Sequence, residues 1–209
     1  MSIFPFTLWH GTSAHFLPMM EEHGLGGHNP MADWRVLEFL TVAMEILDVA
    51  DDDFNHPDIM ELMPIMSAVK GGANGMNFEY GDVYVAGGCE KAADYAINAP
   101  ELISFVRTVL DVDDRIGAGL VRDGLPDYPE LAKFLGLKPK PVVLKLPPLL
   151  LSLFQTEKGG VVQFPTNFNY EARKAFYSQM AYRLTTTIPF EGVEVVDVSG
   201  HKKINQFIA

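Results

Sequence analysis

The two apolar periodicities of this chain do not alternate, and that constrains its fold more than any single motif. Helical spacing dominates the first half. Val36, Leu37, Leu40, Ala43, Met44 and Leu47 fall on one stripe, and Ile59, Met60, Met63 and Met66 repeat the pattern between Pro57 and Lys70. Short strand patterns gather later, at 142–146, 149–155, 161–164 and 192–198. Helices first and strands later predict an α+β domain, not a regular βαβ repeat. With 48% apolar residues in 209, a sizeable core can form.

Local signals add further elements. A strand is expected over Phe6–His10, a turn at Gly11-Thr12-Ser13, and a helix from Ala14 to His23. In that helix Phe16, Leu17, Met20 and His23 share a face, Pro18 sits in the first turn, and Gly24 supplies the stop. Asp33 is a candidate cap for the helical stretch 31–69. The methionines there read as core filler. A strand is expected over 81–86, and helices over Glu90–Asn98, Glu101–Val112, Pro129–Leu135 and Tyr170–Leu184. Gly159-Gly160 predicts a hairpin turn.

Charge and cysteine content exclude whole classes. The net charge is −11, and the densest basic stretches are only Lys138–Lys145 and His201-Lys202-Lys203. A nucleic-acid partner held by phosphate neutralisation is therefore not expected. An acidic surface does not exclude a dinucleotide, because backbone N–H groups can hold a pyrophosphate. Cys89 is the single cysteine, so no disulfide within the chain is possible. The start, 1–6, lacks the basic and apolar regions of a signal peptide. The apolar run Leu146–Phe154 is short and broken by Pro147 and Pro148. The expectation is a cytoplasmic protein without a membrane partner.

Three segments carry chemistry. Leu8-Trp9-His10-Gly11-Thr12-Ser13 presents an imidazole, close-approach backbone and two hydroxyls at one place. Tyr80-Gly81-Asp82-Val83-Tyr84-Val85-Ala86 leads into a helix bearing Tyr95, eleven positions beyond Tyr84. Two such rings could clamp a flat heteroaromatic ring between them. Glu191-Gly192-Val193-Glu194-Val195-Val196-Asp197 sets an acid near the start of a strand, where it could accept sugar hydroxyls or oppose a developing positive charge. Alone, each also fits an ordinary turn, a core tyrosine pair or a solvated acid.

Taken together and in this order, the segments resemble the H-Y-E motifs of the diphtheria-toxin and PARP-like ADP-ribosyltransferases. The resemblance rests on His10-Gly11-Thr12 followed by a helix ending in Gly-Leu, on Tyr80–Ala96, and more weakly on 190–198. It implies a split β-sheet core in a single domain over 1–209, with a helical insertion at about 31–70. It also implies NAD as substrate. His10 would bond the adenosine ribose, the Gly11 backbone the nicotinamide amide, and Tyr84 and Tyr95 would sandwich the nicotinamide ring. Thr12 and Ser13 would line the site. Glu194, or Glu191 as second candidate, would engage the other ribose and support an oxocarbenium-like transition state. The implied activity is transfer of ADP-ribose to a protein or other macromolecular acceptor, in a bacterial or phage effector or toxin. A catalytically inactive binding or assembly protein of the same fold is the alternative.

Two features depart from that pattern. His10 and Tyr84 are 74 positions apart, longer than usual in the group, and the third motif lacks a recognisable acceptor-loop acid or Gln. The RNA 2′-phosphotransferase branch shares the fold and an HGT element, but the acidic charge and few suitable arginines count against it. His15, His23 and His28 are not spaced to converge on a metal. The serines lack a G-x-S-x-G elbow, Cys89 has no paired His, and the glycine runs do not follow a strand as a Rossmann fingerprint does.

Overall fold

In the computed structural model, residues 2–50, 62, 65, 82–97, 101–117, 119–164, 176, 177 and 179–200 are described. They are α+β and fall into two compact units. The first comprises 1–28, 82–100 and 139–209; the second comprises 29–81 and 101–138.

The first unit is built on six strands: β1 (Trp9–Ser13), β2 (Tyr84–Ala86), β3 (Pro141–Lys145), β4 (Phe154–Thr156), β5 (Ala181–Leu184) and β6 (Glu194–Asp197). Every pairing is antiparallel, and the order across the sheet is β4-β5-β2-β1-β3-β6. The continuous apolar run Pro-Val-Val-Leu of β3 suits a strand buried on both faces, with its proline at the first position, where a strand tolerates one. The exposed, acid-flanked β6 suits an edge.

The expected turn at Gly11-Thr12-Ser13 is strand. β1 runs in register with β3 from Trp9↔Lys145 to Ser13↔Pro141, so the ladder holds the tripeptide extended. Ser13 then ends the strand, its Oγ accepting from His15 N–H at 3.4 Å, and a short 3-10 turn (Ala14–Phe16) leads into α1 (Leu17–His23). Gly24 stops α1 at φ +79°, as its sequence position predicted. The expected helix over Tyr170–Leu184 does not reach its end, because 181–184 form β5, pairing with β2 on one side and β4 on the other. Its earlier part, 170–175, lies outside the described residues, as does most of the helix expected over 57–70.

The helix expected over Glu90–Asn98 is α4 (Cys89–Ile97). It lies on the sheet through Ala92, Ala93 and Ala96, which pack with Ala86, Val143 and Val198. Small side chains let its backbone come down onto β1.

The second unit is helical among its described residues: α2 (Pro30–Asp33), α3 (Val36–Ala50), α5 (Glu101–Ile116), α6 (Leu120–Gly124) and α7 (Pro129–Leu135). Asn29, not Asp33, caps the first of these, its side chain accepting from Met31 N–H at 3.1 Å. The predicted stripe of α3 is its core face except at Leu37, which is 39% exposed: Val36, Leu40, Ala43 and Leu47 are at most 1% exposed and Met44 is buried. Trp34 against Phe134 and Phe39 edge-on to Tyr128 fill the space beside it. Asp113 on α5 is fully buried and accepts from Arg122 N–H at 3.0 Å, tying α6 to α5.

On the face of the sheet opposite α4, Phe4 brings the N-terminal segment edge-on to Phe154, Phe164 and Tyr182. The Tyr182 hydroxyl is buried and has no hydrogen-bond partner among the described residues. An unmet buried hydroxyl costs stability. Tyr182→Phe should therefore stabilise the chain by about 1 kcal/mol, raising Tm by about 2–4 °C in a thermal melt. An unchanged or lower Tm would mean the hydroxyl is satisfied.

Candidate functional site

Between β1 and β2 the sheet is split. The two strands share a single register pair, Trp9↔Ala86, although β1 continues to Ser13. Two three-stranded halves result, β6-β3-β1 and β2-β5-β4, joined at that one position.

The ladder geometry shows what faces the gap. Toward β3, Leu8 C=O accepts from Leu146 N–H at 3.0 Å and Ala14 N–H donates to Lys140 C=O at 2.8 Å. In an antiparallel ladder these roles alternate, so Leu8, His10, Thr12 and Ala14 point their backbone groups at β3, and Trp9, Gly11 and Ser13 point theirs toward β2. On β2, Val83 C=O accepts from Leu184 N–H at 2.8 Å and Gly87 N–H donates to Met180 C=O at 3.1 Å. Tyr84 and Ala86 therefore face β1. Beyond the last register pair, Gly11 and Tyr84 thus turn backbone edges toward each other across the split.

His10 stands in this opening. Its Nδ1 lies 2.8 Å from the Tyr84 carbonyl oxygen. A carbonyl only accepts, so Nδ1 carries the proton and donates. Burial holds the imidazole below its ordinary pKa, the Tyr84 hydrogen bond opposing that in part. The ring is therefore neutral at pH 7 and presents an acceptor lone pair at Nε2.

Gly11 is required by close packing. A Cβ there would lie 1.8 Å from the Ala92 carbonyl oxygen and 2.8 Å from Ala96 N. Tyr95, next to Ala96, is consequently level with Gly11, and extension of the Trp9↔Ala86 register places Tyr84 at that level too. Tyr84 and Ala86 share a face by strand alternation, and Ala86 packs under α4, so both tyrosines lie on the α4 side of the sheet. Tyr95 is 47% exposed, with the Lys91 ammonium 5.9 Å from its ring centroid. Thr12 is 5% exposed and its side chain, like that of His10 two residues earlier, leaves β1 on the opposite face, so neither lies on the α4 side with the two tyrosines.

The acids chosen from sequence are not brought to this place. Glu194 does begin a strand, but that strand is the edge β6, on the far side of β1 and β3 from β2. Three inter-strand spacings put it about 14 Å from β2. Its carboxylate, 62% exposed, pairs with Lys145 Nζ at 2.7 Å. Its register runs through Lys145 to Trp9, at the joined end of the split and not the open one. Glu191 lies in the exposed turn before β6, closed by a Val193 N–H to Phe190 C=O bond of 3.1 Å. The strand next to β2 is β5, and sequence periodicity hid it inside an expected helix. Its Arg183 is the register partner of Tyr84 and pairs with Asp82 at 3.1 Å.

Other chemistries find little support among the described residues. No group of three or more His, Cys, Asp or Glu is placed to hold a metal. Burial and the adjacent Glu90 push the Cys89 thiol up, away from a reactive thiolate. No helix is long and apolar enough to cross a membrane. Neither a family model, nor a curated protein, nor a solved structure matches this chain.

Proposed function

We propose that the split binds the nicotinamide end of NAD, and that the chain is an ADP-ribosyltransferase-like protein passing ADP-ribose to a macromolecular acceptor, in the first instance a protein. The observation that carries this is the pair of strand edges at Gly11 and Tyr84, turned toward each other past the last register pair, with neutral His10 bonded to the Tyr84 carbonyl. A carboxamide offers a donor and an acceptor side by side, which is what the N–H and C=O of one strand residue complement. The Nε2 lone pair of His10 suits a ribose hydroxyl. Tyr84 and Tyr95, on one side of the sheet, suit a flat pyridinium ring.

Binding without transfer is the second reading, and the position of Glu194 and Glu191 favours it. The deciding experiment pairs calorimetric titration with NAD and a nicotinamide-release assay in the presence of lysate protein. On the transferase reading, the wild type binds and releases; His10→Ala and Tyr84→Ala lose binding. Binding with no release identifies a binding protein. No binding by folded wild type overturns both readings. Glu194→Ala is expected to behave as wild type in either assay and to change stability by less than about 1 kcal/mol, since its ion pair is exposed.

A further inference from the structure

Antiparallel pairing from Trp9↔Ala86 leads next to His10 opposite Val85, and then to Gly11 opposite Tyr84. Backbone roles alternate along the ladder, so Gly11 with Tyr84 is the next hydrogen-bonded rung. In that rung the Gly11 N–H would donate to the Tyr84 carbonyl. Both residues lie within their strands, yet the strands do not pair there. The Tyr84 carbonyl accepts instead from His10 Nδ1 at 2.8 Å. A side chain one residue from Gly11 thus reaches the oxygen that the rung would use.

The faces of the sheet explain why His10 takes that acceptor. Val143, the register partner of Gly11, packs under α4, as does Ala86. By alternation His10 and Val85 both leave their strands on the opposite face. In a closed ladder their side chains would stand side by side. Val85 is 1% exposed and offers no acceptor, so an upright imidazole would bury its N–H unmet. The Tyr84 carbonyl is the neighbouring acceptor that meets it.

We propose that His10 is a side-chain bridge that replaces the Gly11–Tyr84 rung and so keeps the sheet split at this point. The bond to the Tyr84 oxygen is kept, but the strand edges are not drawn together to the ladder spacing of about 4.8 Å. The opening is then built into the fold, and no ligand is needed to prise it apart. This role belongs to the sheet and stands whether or not the split takes NAD. Without the imidazole, β1 and β2 should zip one rung further. The rival cause is α4, which packs so close to β1 that a Cβ on Gly11 would meet the Ala92 carbonyl oxygen at 1.8 Å. If helix packing alone sets the seam, removing the imidazole leaves it open.

The test compares the full chain as wild type, His10→Ala, His10→Val and His10→Asn by NMR, without ligand. Closure has two signatures. One is a short Hα–Hα contact between residue 10 and Val85, the mark of a non-hydrogen-bonded antiparallel pair. The other is slowed exchange of the Gly11 amide. In His10→Ala and His10→Val the contact should appear, and the Gly11 amide should exchange at least about 10-fold more slowly than in wild type. His10→Asn keeps a side-chain N–H for the Tyr84 carbonyl and should match wild type in both. An open seam in folded His10→Ala and His10→Val places the cause in α4 and overturns the bridge. Failure of both to fold overturns it as well, because a ladder bond then cannot stand in for the imidazole. A contact between residue 10 and Val85 already present in wild type does the same. Calorimetry with NAD keeps the two readings apart: closure in the variants, with no NAD binding by wild type, supports the bridge and removes the NAD reading.

Discussion

Gly11→Ala is expected to destabilise the first unit by about 3 kcal/mol or more, at the upper end of what overpacking costs. The added methyl would sit 1.8 Å from the Ala92 carbonyl oxygen, and both that atom and Ala96 N are helix backbone. No rotamer change can move them aside. The helix must rise off β1, and the contacts that Ala92, Ala93 and Ala96 make with Ala86, Val143 and Val198 open together. A chain of this length loses about 2–4 °C of Tm per kcal/mol, so the melt should fall by about 6–12 °C. Gly124→Ala is the control, because a Cβ there meets nothing within 4 Å and its φ of −81° is ordinary. It should leave Tm unchanged or raise it slightly. A loss below about 1 kcal/mol for Gly11→Ala would show that the helix can lift freely. The same lift would carry Tyr95 away from Tyr84, so on the proposed NAD reading binding should weaken with stability.

Much of the candidate site was legible because its parts are local. The strand before Gly87-Gly88, the helix after it, and the eleven-residue step from Tyr84 to Tyr95 follow from neighbouring residues. His10-Gly11-Thr12 was legible as a place but not as a conformation. A glycine followed by two hydroxyl residues reads as a turn, and only pairing with 141–145 keeps it extended. The error over 170–184 had the larger consequence. Ala181-Tyr182-Arg183-Leu184 continues a helical pattern, but two flanking strands override that local preference, because strand preference reflects cross-strand packing more than backbone bias. Hiding β5 left the last strand as the only candidate to carry the acid. Chain order does not give sheet order, and the adjacency of β2 and β5 places Asp82 beside Arg183 across a sequence gap that no periodicity bridges.

Acid should weaken both the fold and the site through His10, and the sign follows from its environment. Burial lowers the folded pKa below the ordinary 6.5, while the unfolded chain keeps that value. Between the two, the unfolded state binds more protons, so stability rises with pH across the window. The contribution is fully present above about 6.5 and is lost as pH falls through that value toward the folded pKa. At most it changes by about 1.4 kcal/mol per pH unit. His10→Asn keeps a side-chain N–H that can reach the Tyr84 carbonyl and removes the titration. Denaturant melts from pH 8 to pH 5 should show wild type losing stability relative to His10→Asn below about pH 6.5. A pH-independent difference would mean that the imidazole is not held neutral by the fold. On the proposed NAD reading, binding follows the same proton: once Nε2 is protonated it donates and can no longer accept a ribose hydroxyl, so NAD affinity should fall through the folded pKa in wild type. His10→Asn should start from weaker affinity and show no such step. A shared acid step in stability and affinity, absent from His10→Asn, would locate both in the one ring that closes the split against Tyr84.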